Sequence, residues 1–131
     1  MIVDASALIA ILFREPEKDR FRELIARDPE PLMSSFNFLE AAVRADGLGS
    51  DMTEGFDTLF QETGIKIATT DFQQARLARE AYKRFGKRNH AAKLNLGDCF
   101  AYALAKARNL PLLFKGDDFI HTDIEPALRP A

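Results

Sequence analysis

Several acidic side chains in this sequence stand where solubility does not require them. Asp4 follows the apolar run Met1-Ile2-Val3, and Glu40 lies inside the otherwise apolar stretch Phe36 to Val43. Asp98 opens the apolar run that begins at Cys99, and Asp117 and Asp118 follow Leu112-Leu113-Phe114. An ionised carboxylate among apolar neighbours is costly without a partner. It needs a cation, a metal or a shifted pKa. Carboxylates gathered in one place repel one another unless a divalent ion joins them. A cluster without His or Cys selects a hard cation, Mg2+ or Mn2+. His90 and His121 fall in loops and lack ligand spacing, which argues against zinc. A divalent ion held there can generate a nucleophile from water at neutral pH and neutralise negative charge on a substrate.

Each acid also has a plainer role. Asp4 suits a helix N-cap. Asn95 and Asp98 have capping-box spacing. Glu40 is four residues from Arg44, a helical ion-pair spacing. Gly116-Asp117-Asp118 is a turn-forming composition. Ser6, two residues after Asp4, is placed to hold an acid or a water, or to face solvent. Lys83, Arg84, Lys87 and Arg88, followed by His90 and Lys93, form a basic segment. It reads as a phosphate-gripping rim before Asp98 or as a solvated helix end favoured by the dipole.

The elements that must position these residues alternate between strand and helix. Met1 to Val3 reads as a buried strand, then a helix over Ala5 to Phe13. Pro16 opens a second helix, and Pro29 and Pro31 end it. Leu32-Met33 is a brief strand, Ser34-Ser35 caps a helix over Phe36 to Ala45, and Gly47 and Gly49 break it. The apolar faces around Glu40 predict that this helix is buried on nearly every side. Ser50 to Gly64 is a fourth helix, Ile65 to Ala68 a strand, and Thr70 caps a long helix over Asp71 to Phe85. Residues 87–95 read as a polar loop. The Asp98 helix runs to Asn109, and Pro111 to Phe114 is the last firm strand; Asp123-Ile124-Glu125 hints at another. This order predicts an α/β fold, a parallel sheet with helices on both faces. The carboxyl ends of all its strands then lie on one side, where Asp4, Glu40, Asp98 and Asp118 would gather.

The 131 residues suit a single domain over 1–131, and the net charge of −2 gives no global attraction to nucleic acid. Any nucleic-acid partner must therefore be held by a local basic patch or through metal ions. The apolar runs fall well short of the roughly 18 residues of a membrane span, and no signal peptide is visible. The lone Cys99 cannot form an internal disulfide, which points to the reduced cytoplasm.

The segments Ile2-Val3-Asp4-Ala5-Ser6-Ala7, Ser34 to Glu40, Leu94-Asn95-Leu96-Gly97-Asp98-Cys99 with Tyr102-Ala103-Leu104-Ala105, and Leu113 to Phe119 resemble those of the PIN-domain nucleases. Within them the chain looks like the VapC-type toxins of bacterial toxin–antitoxin pairs, and the resemblance covers essentially the whole chain. It implies a three-layer α/β/α fold with a short, mostly parallel sheet. It implies an endoribonuclease dependent on Mg2+ or Mn2+, with Asp4 and Asp98 as principal metal ligands and Glu40 as the second acid. It further implies a VapB-like antitoxin that covers the site, and a homodimer. Many members end the last strand with Thr-x-Asp-x-Asp-Phe; here Gly116 replaces the first of those acids. Asp118 keeps the place before Phe119, and Asp117 is a second candidate.

Two other classes fit less well. A response-receiver domain needs an acceptor Asp after the third strand, where this chain has Ala68-Thr69-Thr70, and a dehalogenase-type phosphatase needs Asp-x-Asp, where it has Asp4-Ala5-Ser6. A non-catalytic module that uses only the fold would neither bind Mn2+ nor depend on the acids.

Overall fold

The structure, a computed structural model, describes residues 1–88 and 90–129. Four short strands form one parallel sheet: β1 (Ile2–Val3), β2 (Leu32–Ser34), β3 (Lys66–Ala68) and β4 (Leu112–Leu113). Their order is β3-β2-β1-β4. Ile2 pairs with Leu32 on one side and Leu112 on the other, and Val3 pairs with Leu113. The helices between them are α1 (Ala5–Leu12), α2 (Lys18–Arg27), α3 (Ser35–Asp46), α4 (Ser50–Thr63), α5 (Phe72–Phe85) and α6 (Leu96–Arg108). A 3-10 turn covers Asp118–His121.

Alternation along the strands divides the core into two layers. Ile2, Leu32, Ala68 and Leu112 face α5 and α6, with Leu94, Leu104 and Tyr102. Val3, Met33 and Leu113 face the opposite layer with Leu8, Phe21, Ile25 and Phe56. Residues of β1 and β4 are fully buried, as expected for parallel strands covered on both faces. Each such Leu or Ile contributes roughly 1.5–3 kcal/mol by leaving water. The expected α/β architecture, with helices on both faces, is the one observed.

The sheet order places the site. The chain moves outward from β1 to β2 and β3, then crosses back to lay β4 on the other side of β1. Such a reversal opens a crevice beyond the carboxyl ends of the two adjacent strands, here β1 and β4. Asp4 follows β1 directly, and its N–H donates to the Leu113 carbonyl at 2.9 Å. Backbone pairing thus fixes Asp4 at the mouth of that crevice.

Several local expectations change. Asp71, not Thr70, caps α5: its side chain accepts from the Gln74 N–H at 2.8 Å. Thr70 instead joins the Ser34 and Ser35 hydroxyls at 3.1 and 2.8 Å, tying the β3 exit to the start of α3. The α2 helix begins at Lys18 rather than Pro16. The preceding turn is held by Lys115, which pairs with both Glu15 and Glu17. Residues 123–125 form no strand; Leu112 makes a single bridge to Pro126. The loop after α5 is not wholly polar, since Ala92 and Leu94 are buried and Leu94 bridges Gly86.

Candidate active site

Asp4 is 3% exposed. Its side chain accepts the Ser6 N–H at 3.1 Å and so caps α1. Capping and site chemistry therefore share one carboxylate. The Ser6 hydroxyl in turn accepts the Lys115 N–H at 3.0 Å, which ties the first turn of α1 to the exit of β4. Burial raises the pKa of Asp4 to about 6, against the pull of the Ser6 hydrogen bonds, and the Glu40 charge adds to the rise. One oxygen, Oδ1, is buried without a hydrogen-bond partner.

Asp98 stands in the first turn of α6 and completes the capping box expected from its spacing. Its Oδ2 accepts the Asn95 N–H at 3.0 Å, while Asn95 Oδ1 accepts the Asp98 N–H at 2.8 Å. Burial raises its pKa to about 7, with further contributions from the charges of Asp4 and Asp118. Asp118 lies in the 3-10 turn after β4, beyond the strand end where the sequence suggested it. Its charge adds to the raised pKa of Asp98. Gly116 has φ +103°, a conformation that favours glycine, and this sets the turn that delivers both acids.

Glu40 corrects an expectation. The α3 helix is not buried all round: Leu39 and Val43 are each 58% exposed, and Phe36 is 37% exposed. The apolar pattern overstated burial because part of it forms an open surface beside the cleft. Glu40 is an exposed residue, and its carboxylate lies against Gly97. A Cβ on Gly97 would stand 2.1 Å from Glu40 Oε2, so only glycine leaves room for that carboxylate. Burial of the carboxyl raises its pKa, the Asn37 amide opposes the rise, and the Asp98 charge adds to it. Arg44 is not its partner among the described residues; the guanidinium lies 5.1 Å over the Phe13 ring.

Asp4, Ser6, Glu40, Arg44, Asn95 and Asp98 line one cleft of about 350 Å3. A larger cleft of about 510 Å3 lies between α1, α2 and α4, away from these acids. Sequence reasoning missed Asn37 here and read Arg44 only as an ion-pair partner for Glu40. Arg44 brings a cation to the acidic cleft, and Asn37, fully buried, bonds both Glu40 and the backbone before Asp98.

The donor set fits a hard divalent cation. It is all oxygen, its carboxylates raise one another's pKa, and Asp4 Oδ1 lacks a partner. Among the described residues no three acid, His or Cys side chains already form a metal shell. Cys99 is buried and its thiol is pushed up to about 12, so it offers no thiolate.

The family model for the PIN domain matches residues 1–125. Ribonuclease VapC30 of Mycobacterium tuberculosis is 40% identical over 131 residues, covering 99% of this chain and 100% of that protein. The chain belongs to the VapC ribonucleases of the PIN-domain family. The fold agrees with two solved structures. The VapC20 toxin of Mycobacterium tuberculosis, described as cleaving the sarcin–ricin loop, superposes with a TM-score of 0.77 at 16% identity, over 98% of both chains. A chain of a toxin–antitoxin complex from Klebsiella pneumoniae gives 0.70 at 20% identity, over 93% of this chain and 92% of that one.

The basic segment of this VapC-family chain divides in two. Lys83 pairs with Glu80 at 3.6 Å, and Arg84 reaches Asp123 at 3.8 Å while stacking over Phe85. Lys87 and Arg88 are exposed on the turn after α5. If this turn holds RNA phosphates, Lys87→Ala with Arg88→Ala weakens binding to all RNA sequences alike. The salt slope of log K then flattens by about 1.4, two contacts at about 0.7 each. Filter-binding titrations across salt concentrations measure it, and an unchanged slope assigns these residues to the solvated surface.

Proposed function

We propose that Asp4, Glu40, Asp98 and Asp118 form the catalytic site of this endoribonuclease, with Asp4 and Asp98 as the principal ligands of Mg2+ or Mn2+. The ribonuclease class follows from family membership. The observation that carries the site is that Asp4, Glu40 and Asp98 line one cleft, with Asp4 Oδ1 buried and unpartnered; Asp118 lies outside that lining and is included because its charge acts on Asp98. A bound divalent ion supplies Lewis acidity and lowers the pKa of water toward neutrality.

The chain's own groups do the rest. The Ser6 N–H and Asn95 N–H fix the Asp4 and Asp98 carboxylates on two helix starts. Asn37 holds Glu40 at Oε1, leaving a carboxylate of raised pKa placed to take a proton from attacking water in the cleft. The water oxygen forms the new bond to phosphorus as the bond to the leaving sugar oxygen breaks. Arg44, lining the same cleft, supports the phosphate charge. Single-stranded or looped RNA is the fitting substrate, because its backbone can enter such a crevice without a duplex partner.

The chain acts as the toxin of a toxin–antitoxin pair. The open apolar residues Phe36, Leu39, Val43 and Leu96 beside Glu40 support an antitoxin that covers the cleft. The Klebsiella pneumoniae structure, a toxin–antitoxin complex, supports the same partnership. A homodimer and a cytoplasmic location belong to this reading. Among the described residues no helix is long and apolar enough to cross a membrane.

The fourth acid gives the direct test of the constellation. Asp118→Asn is expected to lower Mn2+-dependent RNA cleavage by about 10–100-fold, and Asp117→Asn by less than about threefold. Single-turnover cleavage of a labelled RNA measures both rates. The reverse order would show that the Gly116 turn presents Asp117 instead, and wild-type rates in both would remove the fourth acid from the site.

A further inference from the structure

Asn37 is a polar side chain with no exposure at all, set in the first turns of α3 between Phe36 and Phe38. Its Nδ2 donates to the Gly97 carbonyl at 2.9 Å and to Glu40 Oε1 at 3.3 Å. Both partners are acceptors, which fixes the orientation of the amide: the flipped form would set its oxygen against two oxygens. Its Oδ1 remains buried without a partner. A buried amide that satisfies only its donor side is costly to keep, and an apolar residue of similar size would avoid that cost. The position invites a functional explanation.

The two bonds join three parts of the site. Gly97 is the residue before Asp98, and its missing side chain is the space that the Glu40 carboxylate occupies. Asn37 therefore reaches across sixty residues of sequence to hold Glu40 and the Asp98-bearing turn in one arrangement. We propose that Asn37 is a positioning residue that locks the Glu40 carboxylate onto the first turn of α6 and so sets its separation from Asp98. The lock rests on the site reading above. It opposes the repulsion from Asp4 and Asp98 that would otherwise swing the exposed Glu40 into solvent. It thereby keeps a third negative charge beside the two carboxylates proposed to hold the cation.

The test compares full-length wild type, Asn37→Ala, Gly97→Ala and Asp98→Asn. Mn2+ binding is measured without RNA by electron paramagnetic resonance, and cleavage kinetics at saturating Mn2+. Asn37→Ala is expected to raise the Mn2+ concentration for half-saturation by about 10-fold or more. It should lower kcat by a similar factor, with KM for RNA within about twofold. In a Glu40→Gln background the same substitution should add little, because the residue it positions is already disabled. Gly97→Ala keeps the Asn37 bond to the backbone but takes the space of a flexible carboxylate, so it should fold and show the same two losses. It decides the matter if Asn37→Ala does not fold. Wild-type Mn2+ half-saturation and kcat in a folded Asn37→Ala, or in Gly97→Ala, would overturn the lock. Asp98→Asn separates the two levels. If it alone loses Mn2+ binding, only the lock is wrong; if it binds Mn2+ like wild type, the shared site itself is wrong.

Discussion

Asp98→Asn is expected to lower RNA cleavage by at least about 10²–10³-fold while leaving the metal-free protein as stable as wild type or more so. The substitution removes a charge and keeps the shape. The Asn oxygen can still accept the Asn95 N–H, so most of the capping box survives. What disappears is a half-buried carboxylate whose pKa is raised to about 7 by burial and by the charges of Asp4 and Asp118. Discounted for its partial solvent screening, relief of that cost is worth about 1–2 kcal/mol at pH 8, where the group is ionised. At pH 4 the gain vanishes, because the native carboxyl is already protonated. A residue that served only as a cap would behave in the opposite way. Its loss would cost about 0.5–2 kcal/mol and leave cleavage intact. Denaturant melts of the metal-free proteins at the two pH values, with cleavage assays beside them, separate the outcomes.

The second large effect is the response of wild-type stability to cation and pH. Asp4 at about 6 and Asp98 at about 7 both lie above ordinary carboxylate values. The native state therefore binds more protons than the unfolded state between about pH 4 and pH 7. With more protons on the native side, metal-free stability falls as pH rises through that window. The buried Asp4 alone contributes roughly 1–3 kcal/mol of the decline. A divalent cation reverses it, because it binds the ionised carboxylates of the folded state only. At pH 8, Mn2+ at 100 times its dissociation constant should add about 2.7 kcal/mol, or roughly 10 °C in Tm. At pH 5 protons hold the same oxygens, and the shift should shrink to about 1–2 °C. Equal Mn2+ shifts at both pH values would place the binding elsewhere.

The parts of this site that rest on local spacing were legible in the sequence. Asp4 after an apolar strand and Asp98 three residues after Asn95 carry their own geometry, and both cap helices while facing the cleft. Glu40 was found through an expectation that proved partly wrong. The apolar pattern around it reads as burial, whereas Leu39 and Val43 form an open surface. Pattern alone does not distinguish a surface buried in the core from one left open beside a binding cleft. Asn37 was not legible, because a single Asn within an apolar helix start carries no local signal and its partner Gly97 is supplied by another helix. The basic segment reads as one patch, yet only the tertiary fold brings Asp123 to Arg84 and leaves Lys87 and Arg88 on an open turn. The parallel sheet was legible through the α/β alternation; its order, β3-β2-β1-β4, was not, because alternation does not fix which strands are neighbours. Strand length was not legible either: β1 and β4 span only two residues each.

The central claim is that Asp4 and Asp98 hold one cation in common, and crystals soaked in Mn2+ test it most directly. Anomalous scattering should place an ion in direct contact with the carboxylates of both residues, with Glu40 beside it and still bonded to Asn37. An ion bound elsewhere in a protein that still cleaves RNA, with Asp4 and Asp98 engaged only by Ser6 and Asn95, would contradict the account.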